Sequence, residues 1–141
     1  MRSSKKATAM PHNDPLPPAL SAFLYGEIDA VMFRHADHVH AAFEILQRHS
    51  FLDAATAYAT ALKGIATRAG NPDAYHETIT LAFLSLIAER MSGRDYDTFA
   101  AFVAGNSDLM EKSVLQRWYT PERLQSAVAR ATFILPGPVQ P

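Results

Sequence analysis

The chain has 141 residues, 48% hydrophobic and 19% charged, with Lys+Arg 13 against Asp+Glu 14 and a formal net charge of -1. It contains no cysteine, which excludes disulfides and thiolate metal clusters, and its even charge balance leaves a nucleic-acid reading without its electrostatic footprint. No apolar run reaches the roughly 18 to 20 residues that a membrane span requires, so a cytoplasmic protein with a single buried core is expected.

Residues 1–20 are polar and proline-rich, with Lys5-Lys6 and Pro15-Leu16-Pro17-Pro18 but no apolar stretch behind the charges. They read as a flexible leader and not as a secretory signal. One helical domain is expected over 21–135, with 136–141 leaving it as a tail that opens on Pro136-Gly137-Pro138.

Within that domain the first long helix is predicted from about His35 to Arg48. Ser50-Phe51-Leu52-Asp53 supplies an N-cap with an acid three positions on, and Gly70 the matching stop. Between them Ala55, Tyr58, Leu62 and Ile65 recur at helical spacing. Asn71-Pro72-Asp73 then offers a capping side chain, a proline and an acid in the first turn, which predicts a third long helix running to about Met91. Asp95 is read as the cap of a shorter helix carrying Phe99, Phe102 and Val103. Val114 to Tyr119 is read as another, and Thr120-Pro121-Glu122 as the start of the last. No alternating stretch suggests a hairpin. The expected class is all-α, an irregular bundle of about five or six helices around three longer ones.

The composition contains one oddity, six histidines. His12 lies in the leader and His49 at a helix boundary. At about 100° per residue, the first long helix carries His35 in the centre of its apolar face and His38 at the edge, while His40 falls on the polar side and reads as solvated. On the Asn71-capped helix, His76 lies in line with Ile79, Phe83 and Ile87. If the two helices pack side by side, three imidazoles converge, and such a set suits a transition metal, zinc or iron, with a fourth position open to water or substrate. Glu77 is then the candidate acid–base group or fourth ligand, and Tyr75 and Thr78 candidate ligand-orienting groups. Arg117, beside Trp118, is a candidate clamp for an anionic ligand. A structural network of buried, hydrogen-bonded histidines is the competing reading. No glycine-rich phosphate loop, nucleophile elbow or cysteine nucleophile is present.

Phe33-x-His35-x-x-His38-Val39, Tyr75-His76-Glu77-Thr78-Ile79-Thr80 and Trp118-Tyr119-Thr120-Pro121-Glu122-Arg123-Leu124 together resemble a widespread group of small bacterial helical proteins of unassigned function. The likeness covers about residues 33–135. It implies a self-contained domain in which His35, His38 and His76 share one pattern, and it brings no reaction. Two functions follow as expectations. The first is a metal-binding three-histidine protein, a hydrolase or oxygenase acting on a small molecule. The second is a non-catalytic module binding a small molecule or a protein, with structural histidines.

Overall fold

The computed structural model describes residues 17–139, so the expected leader up to residue 16 lies outside the described residues. The chain enters through α1 (Pro18–Leu24), started by prolines and buried through Leu20 and Phe23. After a 3₁₀ turn at Ala30–Met32, α2 (His35–Arg48) begins where the Arg34 N–H donates to the Asp37 carboxylate at 2.9 Å, an acid at the third position reaching back to an orphan donor. Helix α3 (Phe51–Arg68) is capped by the Ser50 hydroxyl, and Gly70, at φ +76, turns the chain out of it in a conformation that a side chain would oppose.

The third long helix starts later than its sequence suggests. Pro72–Ala74 forms only a 3₁₀ turn, Tyr75 and His76 are extended, and α4 runs Glu77–Ser92. The reason lies far along the chain: the Arg130 guanidinium donates to the Asp73 and Tyr75 carbonyls. Acceptors that a continuous helix would use along its own axis are thereby held from outside it.

Helices α2, α3 and α4 pack on one another, α1 lies across α2 and α3, and the core sits between the three long helices. Val39, Ala42, Phe43, Ile45 and Leu46 come from α2, Ala54, Tyr58 and Ile65 from α3, and Phe83, Leu84 and Ile87 from α4. Burying a Phe or Leu of this kind contributes about 1.5 to 3 kcal/mol.

The remaining segments cover the ends of that core. Helix α5 (Phe99–Gly105) takes Thr98 as its cap, its hydroxyl accepting from the Ala101 N–H at 3.1 Å, in place of the expected Asp95. It buries Phe102 against Phe43 and Tyr96. Ser107–Met110 and Lys112–Arg117 are 3₁₀ turns, the second standing where a helix over Val114 to Tyr119 is predicted. Thr120 caps α6 (Pro121–Leu124) as predicted, and Ser126 caps α7 (Ala127–Ala131), which packs on α4. Residues 132–139 run on without regular structure. Near their start Thr78 donates to the Thr132 carbonyl at 2.8 Å and accepts from the Ile134 N–H at 3.1 Å.

The fold is thus an all-α irregular bundle. Among the described residues seven α-helical segments occur, three of them longer and more heavily packed. Among the same residues no helix is long and apolar enough to cross a membrane.

Candidate functional site

His35, His38 and His76 do face one space, a half-open cleft of about 910 Å³ between α2, α3 and α4. Each stands at or near the start of its helix. His35 is the first residue of α2 and His38 lies one turn on, so both point from the N-terminal end of α2 toward the cleft. His76 precedes α4 as its N-cap.

Two of these rings are tied into the fold by hydrogen bonds. His76 Nδ1 accepts from the Ile79 N–H at 3.1 Å, and Nε2 lies 2.6 Å from the Leu124 carbonyl oxygen. An acceptor at Nδ1 and a donor at Nε2 describe one neutral tautomer with both nitrogens satisfied. His35 Nε2 lies 2.9 Å from the Leu109 carbonyl and donates to it, and the ring meets Phe83 edge-on at 5.2 Å. His38 differs. Its ring packs against Phe33 at 4.5 Å, and neither nitrogen has a hydrogen-bond partner among the described residues. Burial pushes its imidazole down to about 4, with His35 and Lys112 adding to the effect and Asp37 opposing it.

The zinc or iron centre expected from the three histidines is therefore corrected. Among the described residues no group of three His, Cys, Asp or Glu side chains is arranged to hold a metal ion. A ligating imidazole needs a free ring nitrogen aimed at the ion, and both of His76's are spent on the backbone. The metal-dependent hydrolase or oxygenase reading falls with it. The helical construction missed this because it placed His76 inside a helix, where the ring would have projected from a regular face.

The other candidates are distributed as follows. Tyr75 lines the cleft, and its hydroxyl donates to the Glu77 carboxylate at 2.7 Å. Burial and that bond raise the phenol well above its usual range. Glu77 is engaged there, outside the cleft's described lining. Thr78 is buried and holds the C-terminal segment. Arg117 sits away from the cleft in a cluster with Asp108 at 2.7 Å, while Arg90 grips the same carboxylate through two bonds of 2.9 and 2.8 Å. Trp118, beside Arg117, is 45% exposed. His40, expected to be solvated, stacks on Phe99 at 4.1 Å and lies 3.4 Å from Glu44.

Sequence reasoning missed Tyr58, Arg34 and Lys112, which also line the cleft. Tyr58 was legible only as one member of an apolar stripe. Its buried hydroxyl donates to the His38 carbonyl at 3.4 Å, and burial raises its phenol far above the ordinary value. Nothing in the local pattern marks Lys112, which reaches the cleft from a 3₁₀ turn.

Compared with protein-family models, with curated proteins and with solved structures, the chain matches none. Its functional reading therefore rests on its own residues. They form a cleft lined by apolar side chains, including Leu62, Ile65 and Ile79, together with polar groups, of which His35, His76, Tyr58 and Tyr75 are held by hydrogen bonds.

Proposed function

We propose that the protein is a small-molecule binding domain, non-catalytic in itself, whose ligand site is the cleft between α2, α3 and α4. The observation that carries this reading is the way the histidines are spent. His35 and His76 each give a ring nitrogen to a backbone carbonyl of a distant segment, so they act as walls of the cleft. Its volume, about 910 Å³, lies within the range that small-molecule sites occupy, and its mix of apolar lining and few placed polar groups is the composition such sites have. The sequence runs around His35, His38 and His76, by which the chain resembles small bacterial helical proteins, are on this proposal the shared signature of that cleft. A cytoplasmic setting belongs to the same proposal.

Phenylnaphthylamine, an uncharged fluorophore that brightens in apolar surroundings, tests it. The full chain should bind the dye saturably at one site. Ala66→Trp, which projects an indole from α3 into the cleft, should abolish that binding while helicity and cooperative melting persist. Dye binding that is absent, or equal in the variant, removes the cleft as a ligand site.

A further inference from the structure

The cleft's charged groups are all of one sign. Arg34 and Lys112 are among its described lining residues, and no carboxylate is. Both cations are exposed, and among the described residues neither makes an ion pair. A smaller cavity of about 230 Å³ shares Phe33 with the cleft and has the opposite character. Glu27, Asp29, Asp37 and Glu44 line it, with no Lys or Arg among its described lining residues. Basic and acidic side chains are thus segregated on the two sides of Phe33, although the chain as a whole is close to neutral.

His38 belongs to the same lining. His35, one helical turn away, Asp37 and Lys112 are all near enough to act on its charge, with the Asp37 carboxylate opposing the other two. Held neutral by burial, the His38 ring offers one N–H donor and one acceptor with no partner among the described residues. The two tyrosine hydroxyls of the lining are occupied, Tyr75 by Glu77 and Tyr58 by the His38 carbonyl. The lining thus offers a ligand two cations, one neutral imidazole and aliphatic surface.

We infer that the cleft selects an apolar-tailed monoanion, a carboxylate of the medium-chain fatty acid type, with its head between Lys112, Arg34 and His38 and its tail on Leu62, Ile65 and Ile79. The inference rests on the reading of the cleft as a small-molecule site. It adds the sign of the ligand's charge and the end at which that charge sits. Carboxylate recognition at this place uses charge-assisted hydrogen bonds from two cations and a neutral donor, and the tail supplies apolar burial.

The test uses the full chain loaded with phenylnaphthylamine at neutral pH, from which octanoate and octanol are compared as displacing ligands. Octanol partitions more readily into an apolar phase, so a featureless apolar cleft favours octanol. The expected result is displacement by octanoate at a concentration about five- to tenfold lower than octanol. In Arg34→Gln/Lys112→Gln that advantage should vanish or reverse. In the unmodified chain it should shrink between about 50 mM and 500 mM salt, as screening of partly exposed charges requires. The salt series decides the matter even if the double variant fails to fold. Equal or better displacement by octanol, or an octanoate advantage indifferent to salt, overturns the inference and leaves the cleft reading standing. Dye that fails to bind at one site, or binds Ala66→Trp equally, overturns the cleft reading itself.

Discussion

His76 combines two tasks that are usually given to different residues. Its ring closes the first turn of α4 and reaches 48 positions along the chain to the Leu124 carbonyl. His76→Ala should therefore lose a cap, about 1 kcal/mol, and orphan a partly buried acceptor, about 1 kcal/mol more. His76→Asn, which keeps a capping oxygen, should recover the first part only, and urea titration of the three proteins separates the two contributions. His38 makes a different prediction. The unfolded chain takes up a proton at this ring near 6.5 and the folded chain only near 4, so protonation favours unfolding. The stability associated with the neutral ring is complete above about pH 6.5 and is lost as pH falls toward 4, by on the order of 3 kcal/mol. Asp108, which the Arg90 guanidinium holds down at about 2, titrates below that window. His38→Leu should flatten the change in urea midpoint between about pH 7 and pH 4.5. An unchanged slope would assign it to other groups.

The elements were legible in the sequence to the degree that their causes are local. The bounds of α2 and the cap and stop of α3 rest on Ser50, Gly70 and apolar residues at helical spacing, all within one turn of where they act. The start of α4 rests on the His76 cap together with Arg130, 57 residues from the Asp73 carbonyl it holds, and no window around Asn71 contains that second contact. The same holds for the cleft. The three histidines could be placed on one space, but their partners are the Leu109 and Leu124 carbonyls, and a backbone acceptor leaves no mark in a sequence. Thr78 belongs to this class of long-range ties. Thr78→Val keeps shape and removes both bonds to the C-terminal segment, which should cost about 2 kcal/mol. Faster hydrogen exchange at the Ile134 amide, with α2 and α3 unaffected, would locate the loss.

At the scale of the whole molecule, the C-terminal third acts as a clasp on the three-helix core. Thr132, Ile134 and Leu135 offer backbone groups to Thr78, Tyr119 and Arg123 respectively, and α7 packs on α4. A chain ending at Ala131 should keep its helices and melt more than about 5 °C below the full chain. Equal melting temperatures would show that residues 132–139 lie passively on the surface.

The carbonyl ties also carry a temporal consequence. The His35 ring waits for Leu109, 74 positions later, and the His76 ring for Leu124. At about 5 to 20 residues per second, a growing chain holds finished α2 and α3 for several seconds before either imidazole can be satisfied. During synthesis the cleft is an unsealed apolar surface exposed to whatever else is in solution. It is completed only once the segments carrying Leu109 and Leu124 have been made.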